Sequence, residues 1–599
     1  MAPVPIDENR ITYFAETDAR NRRVKFGIKA KDRTKHVYVI GKTGMGKSTL
    51  LENMAVQDIQ NGEGMAFIDP HGKTADLLLE YVPKERIRDV IHIAPFDVDF
   101  PISFNVLESV DPTKRHLVVS GLMSTFKKIW VDAWSARMEY ILTNTLLALL
   151  EAPGTTLLGV NRMLSDKEYR KEIVSHVTDP SVKSFWVKEF ANYTERMAAE
   201  AVPAIQNKVG QFTANPLIRN MIGQPTSTFD FRQAMDSRKI IIINLSKGRI
   251  GDENMKLLGG LLVTKIYLAA MSRADVPDRV MKMLPNFYLF VDEFQNFANA
   301  SFADILSEAR KYKLNLTIAH QYIEQMDEIV KPAVFGNVGT MITFRVGATD
   351  AEALEQEFAP VFTIEDLVNM GAYQIYLKLM IDGLSSAPFS AHTLDAIPHP
   401  DTSYVEDIIA ASREQFAHPR ADVEQIIVKF HEPTIPPKKS PAAPAVSAPA
   451  PVGVATAKIT STPVAPVVPS QPVKSAPAPL PSSAPVQTST SPLVPTPVVQ
   501  KKPAIVQPIA PVKPVSLSML APKPVVPKQD PKVPSAKNIG DLKSALAAAM
   551  NKVKTESKLP TPAVPKVEAM AKPKPIIPAT PAQPSEVPEE VLKQVLKVD

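Results

Sequence analysis

From His36 onward, short β-branched or aromatic runs alternate with stretches of helical periodicity, which predicts an α/β fold around a mainly parallel sheet. The runs at 37–41 (VYVIG), 64–72 (GMAFIDPHG) and 90–96 (VIHIAPF) read as strands. The first leads through KTGMG into an amphipathic helix from Lys47 to about Gln60. Residues 110–235 break the alternation. Apolar positions there, such as Tyr140, Leu142, Leu146, Leu147 and Leu150, follow helical spacing, which predicts an all-α insertion. Trp130, Trp134 and Trp186 all fall in it and read as its core fillers. Strands resume at 239–246, 286–293, 314–321, 340–347 and 373–380, separated by helices. Residues 401–430 read as a helix and a short strand or helix, and a hairpin is expected around Val24 to Ile28. The predicted division is a lead-in (1–35), a core in two parts (36–109 and 236–432) around the insertion (110–235), and a tail (433–599).

Composition sets the tail apart. It holds 36 of the 56 prolines and no Phe, Trp or Tyr. A segment so built cannot bury enough apolar surface to offset chain entropy, so it is expected to be disordered. Two stretches escape the proline pattern: 541–554, with Leu542, Leu546, Met550 and Val553 on one helical face, and 589–598. Each could dock a protein partner, such as a secretion channel. The tail carries 20 Lys, no Arg and 8 acids, a charge of +12, whereas the remainder is −7 within a total of +5. Nucleic acid contact by the folded part therefore requires a local patch or a lined pore.

Cysteine is missing, which excludes disulfides, thiolate catalysis and Cys-type zinc sites. The N-terminal residues lack a basic-then-apolar signal pattern. The most apolar stretch, 257–271, is interrupted by Lys265 and short for a membrane span. No intrinsic membrane anchor is expected. The expected location is cytoplasmic, or peripheral at the inner face of a membrane through a partner.

Chemistry enters at residues 41–48, GKTGMGKS, which match the phosphate-binding loop G-x-x-x-x-G-K-[ST]. A buried strand runs into this loop and a helix leaves it, so backbone N–H groups and the helix dipole can cradle phosphates. Gly41, Gly44 and Gly46 permit the tight turns. The nucleotide-binding set is Gly41, Lys42, Thr43, Gly44, Met45, Gly46, Lys47, Ser48 and Thr49. Lys47 is expected on the β- and γ-phosphates and Ser48 on Mg²⁺. In FYLFVDE (287–293), two acids follow five apolar residues, which puts them at the end of a buried strand. Asp292 is then the second metal residue and Glu293 the general base that activates water. ATP and Mg²⁺ are the expected cofactors. A strand (239–246) between the two motifs, and a Glu after the Asp, indicate the RecA-like branch; no N-K-x-D base-reading motif is found.

Gln321, at a strand end, is placed to sense the γ-phosphate or position water. Arg310 lies just before that strand, on a helix end that could face a neighbouring subunit as an arginine finger. Arg345 is the second candidate for that part.

Together, GKTGMGKST, IDPHG (68–72), the helical insertion, LFVDEFQNF (289–297) and TIAHQ (317–321) resemble the HerA/FtsK superfamily. The closest likeness is to the soluble domain of TraD/TraG-type conjugative coupling proteins, over roughly residues 35–400. The resemblance implies a RecA-like ATPase core with an all-α domain, assembled as a homohexameric ring with DNA in its channel and active sites between subunits. It implies that strand 239–246 lies between the two motif strands in space. It places Arg310 at the finger position and Gln321 at the sensor. Asp69 and His71 match a motif near the nucleotide, where Asp69 is either a turn-stabilising or a catalytic residue. No counterpart is expected here of the paired transmembrane helices of coupling proteins, the N-terminal β-barrel of HerA enzymes or the winged helix of FtsK. An ATP-driven DNA translocase is the leading expectation. The alternatives are a protein-handling secretion or pilus-assembly ATPase, and a nucleotide-switched scaffold that binds partners through its tail.

Overall fold

The computed structural model describes residues 7–18, 22–108 and 110–432. The expectations for the tail, including helices at 541–554 and 589–598, lie outside the described residues.

The described strands are β1 (Ile11–Thr17), β2 (Lys25–Lys29), β3 (Val37–Ile40), β4 (Gly64–Asp69), β5 (Val90–Ile93), β6 (Ile240–Asn244), β7 (Phe287–Val291), β8 (Leu314–His320), β9 (Thr340–Thr343), β10 (Gln374–Lys378), β11 (Met380–Ile381), β12 (Leu384–Ser385) and β13 (Phe389–Thr393). Apart from the small β11–β12 hairpin, they form one sheet in the order β2-β1-β13-β10-β9-β3-β8-β7-β4-β6-β5. From β9 to β5 every pairing is parallel; from β9 through β10, β13 and β1 to β2 every pairing is antiparallel.

The parallel strands are mostly apolar and almost entirely buried because helices cover both faces. Val37 and Val39 of β3, with Met65 and Phe67 of β4, point to the face covered by helix Lys47–Gln60. Tyr38, Ile40, Ala66 and Ile68 point to the other face. That face continues without a break into the helices between residues 112 and 236, since Leu142, Leu146, Trp130 and Trp186 belong to the same buried cluster as the sheet residues. The predicted stripe is not uniform: Tyr140 is exposed and its hydroxyl donates to Glu189 at 3.0 Å. Trp134 is half-buried and donates from Nε1 to Glu139 at 2.7 Å.

Helix Asp252–Met271 packs against this helical segment and shares the buried cluster that includes the sheet residues. Continued through Asp275, it is the one described helix long and apolar enough to cross a membrane by length and composition, and most of it is buried inside the fold. Its contact with helix Arg115–Ile129 is close: a Cβ on Gly121 would sit 2.4 Å from Thr264 Cγ2, and one on Gly260 2.6 Å from Thr125 Cγ2.

One expectation is corrected. The 239–246 strand is β6, and it does not lie between β3 and β7; it pairs with β4 and β5 near the sheet's outer end. The strand between β3 and β7 is β8. Strand β6 leaves the helical segment at the outer end, where β5 entered it, and pairs there. Strand β8 follows β7 through the short helix Ala300–Glu308, which returns it beside β7. The fold remains RecA-like, with a strand separating the two motif strands. The hairpin near residue 24 is β1–β2, strand β13 was not anticipated, and residues 405–431 form two helices, Val405–Phe416 and Arg420–His431.

Candidate nucleotide site

Parallel strands end at a common edge, and in open α/β sheets that carboxyl edge is where ligands bind. Gly41 follows β3, Asp69 ends β4, Asp292 follows β7, Gln321 follows β8 and Arg345 lies just beyond β9, so the fold brings all five segments to one edge. Gly44 and Gly46 have φ of +78° and +112°, which only glycine adopts readily. Gly46 is also packed close: a Cβ there would stand 2.8 Å from Tyr373 Cδ1. The loop is fixed by its neighbours, with Lys42 N–H donating to Arg345 O at 2.8 Å and Tyr373 N–H to Met45 O at 2.9 Å. Helix Lys47–Gln60 starts at the loop with no side-chain cap, so its first N–H groups face the space within the loop. Thr43, Gly44 and Ser48 are exposed, and Thr49 is half-buried.

Lys47 is buried and folds back over the loop, donating to Gly41 O at 2.5 Å and Lys42 O at 3.3 Å. Burial lowers its proton affinity, against the opposing pull of Glu293 and Asp292. Asp292 is pushed up to about 7 by burial first, then by the neighbouring charges of Glu293 and Asp69. Asp69, Asp292 and Glu293 are three buried carboxylates against the single nearby ammonium of Lys47, which leaves net negative charge. A divalent cation beside Asp292 and Ser48 would relieve it. Among the described residues no cluster of three or more His, Cys, Asp or Glu could hold a metal. Two protein ligands suit Mg²⁺, which keeps waters and phosphate oxygens for its other positions.

Asp69 spends both carboxylate oxygens on its own turn, accepting from His71 N–H at 2.7 Å and Ala75 N–H at 2.9 Å. That favours the turn-stabilising part. Glu293 sits in the left-handed region at φ +46°, which turns its carboxylate back toward the end of β8. There Gln321 Nε2 donates to its Oε1 at 2.5 Å and Gln295 Nε2 to its Oε2 at 2.6 Å. Gln295 was not anticipated; an amide two residues beyond the expected base was the available signal. His320 is buried against Phe294 and Tyr38, and burial with the nearby Lys47 charge pushes it down to about 3.

Arg310 is not brought to this edge. It is exposed on the turn Ala309–Tyr312 before β8, and a strand of seven residues spans about 20 Å between it and the loop.

Residues 24–370 match the family model of the type IV secretion-system coupling protein DNA-binding domain, more than half of the chain. The chain belongs to that family. Among solved structures it is similar to the plasmid coupling protein TrwB in complex with the non-hydrolysable ATP analogue ADPNP, at 14% identity over 67% of this chain and 98% of that one, with a TM-score of 0.47. TrwB in complex with ADP and Mg²⁺ is similar at 14% identity over 63% and 89%, TM-score 0.45. VirB4 of Thermoanaerobacter pseudethanolicus is similar at 15% over 64% and 96%, TM-score 0.45. No curated protein matches the chain.

In this coupling-protein-family domain a cavity of about 520 Å³ opens beside Glu293 and Gln321. His71, Lys128, Lys247 and Lys256 also line it. Lys128 comes from helix Arg115–Ile129, so the helical segment reaches the wall of the candidate site.

Proposed function

We propose that the chain is an ATP-hydrolysing motor that moves DNA, working as a homohexameric ring in the cytoplasm or at the inner face of a membrane through a partner. The observation that carries the hydrolytic part is the placement of Glu293, aimed by a left-handed backbone and held by Gln321 and Gln295 at the edge that also holds Lys47 and Asp292. Lys47 would leave the carbonyl of Gly41 for phosphate oxygens. Ser48 and Asp292 would hold Mg²⁺, which when bound supplies charge neutralisation at the β- and γ-phosphates. Glu293 would accept the proton of the attacking water, with Gln321 orienting the carboxylate or the water. Arg310 would act from the next subunit. DNA as the moved substrate is supported by the family's DNA-binding domain description.

The test is ATPase activity of the full chain with and without single- or double-stranded DNA, repeated with Lys47→Ala and Glu293→Gln. DNA-stimulated hydrolysis lost in both variants is the expected result. Hydrolysis indifferent to DNA would favour protein transport, and nucleotide binding without turnover would favour a switched scaffold.

A further inference from the structure

Glu293 and Gln321 sit on separate connections, one after β7 and one after β8, and a single side chain from outside the sheet is attached to both. The Lys128 ammonium donates to the carbonyl oxygen of Ala298 and lies 3.6 Å from Asp327 Oδ2. Ala298 closes the short turn that starts at Glu293, where Asn296 N–H donates to Glu293 O at 3.0 Å and Ala298 N–H to Phe294 O at 2.8 Å. Asp327 lies six residues beyond Gln321, after the turn Ile323–Gln325. The Lys128 side chain is mostly buried, while its partner Asp327 is half-exposed, so the bond to the Ala298 carbonyl is the more sheltered of the two contacts.

The same helix grips the first connection twice more. Asn299 Nδ2 donates to Thr125 Oγ1 at 3.2 Å, and Ser301 Oγ to Ser124 Oγ at 3.1 Å. Beneath these bonds there is no slack, because a Cβ on Gly259 would stand 2.1 Å from Phe297 and one on Gly260 2.6 Å from Thr125. Close-packed groups transmit displacement rather than absorb it.

We propose that Lys128 is a positioning residue that couples the helical segment to hydrolysis. By joining Ala298 to Asp327 it sets the separation of Glu293 and Gln321, so a shift of helix Arg115–Ile129 tightens or releases the Gln321 grip on the base. The proposal rests on the ATPase reading above. It adds a route by which whatever the helical segment contacts alters turnover.

The experiment uses the full chain and the variants Lys128→Met, Lys128→Arg, Asp327→Asn and Gln321→Ala. It measures kcat and KM for ATP with and without DNA, and ADP affinity by equilibrium titration. Lys128→Met is expected to lower kcat by about 10-fold or more, since small misplacements of reacting groups are costly, while KM and ADP affinity stay within about twofold. Lys128→Arg should restore most of the rate. In the double variant Lys128→Met/Gln321→Ala the loss should not exceed that of Gln321→Ala alone. A folded Lys128→Met with the rate and DNA response of the unaltered chain, or losses that multiply in the double variant, would overturn the proposal. Should Lys128→Met not fold, the half-exposed Asp327→Asn takes its place with the same expectations. If instead Glu293→Gln hydrolyses ATP as fast as the unaltered chain, the assignment of Glu293 as base fails, and this inference with it; if the unaltered chain does not hydrolyse ATP at all, the ATPase reading itself fails.

Discussion

Gln321 Nε2 donates to Glu293 Oε1 at 2.5 Å, so the amide at the end of β8 holds the carboxylate at the end of β7. If Glu293 is the base proposed above, removing it should abolish most of its effect and releasing it part. Glu293→Gln should reduce steady-state ATPase by about 10²- to 10⁴-fold, the usual share of general acid–base catalysis, with ATP affinity retained. Gln321→Ala should cost about 10- to 100-fold in kcat with a small change in KM. Equal losses in nucleotide binding would show that either side chain serves binding instead.

Asp292 predicts a pH-dependent stability. Its carboxyl in the folded protein is raised to about 7 from an ordinary value of 3.8, so folding favours the protonated form. The stabilisation is complete below about pH 4 and is lost as pH rises through about 7. Asp292→Asn should therefore melt at increasing temperature relative to the unaltered chain between about pH 4 and pH 8. The gap approaches about 4 kcal/mol at most. Magnesium with ADP should close it, because a cation restores the preference for the carboxylate. A gap independent of pH would remove burial of this charge as the cause.

The two loop glycines should differ. Gly46→Ala combines φ of +112° with a Cβ 2.8 Å from Tyr373 Cδ1, and is expected to cost about 2–4 kcal/mol and abolish ADP binding. Gly44→Ala meets nothing within 4 Å and pays only for φ of +78°, about 1–2 kcal/mol. Thermal melts and ADP titration of the pair check the order.

Arg310 and the loop lie at opposite ends of β8, so any action of Arg310 on phosphate comes from another copy. Arg310→Ala chains mixed with Lys47→Ala chains should regain part of the activity that each lacks alone. No recovery in proven mixed assemblies would assign Arg310 to the surface.

The local features of the site were legible because they are local. Val37 to Ser48 and Phe287 to Glu293 each carry a complete pattern of strand, turn and polar residue within twelve positions. Strand order was not, since the pairing of β6 with β4 and β5 depends on where the helical segment leaves the sheet, which no periodicity records. Strand β13 was missed because FSAHT runs for only five positions and holds a single large apolar residue, Phe389. Gln295 stands two residues from Glu293 and so was open to a local reading, whereas Lys128 meets Ala298 and Asp327 only through folding, and its own neighbours in sequence do not announce it.

One buried cluster holds residues of the sheet, of helix Asp252–Met271 and of the helices after residue 112. A part joined that way has no seam at which recombination could exchange it whole. Descendants of this chain would have to alter their helical segment one side chain at a time, keeping Gly121, Gly259 and Gly260 small while the outward positions change. Variation in whatever the segment touches should thus be found on its exposed residues, with the layer beneath held constant across lineages.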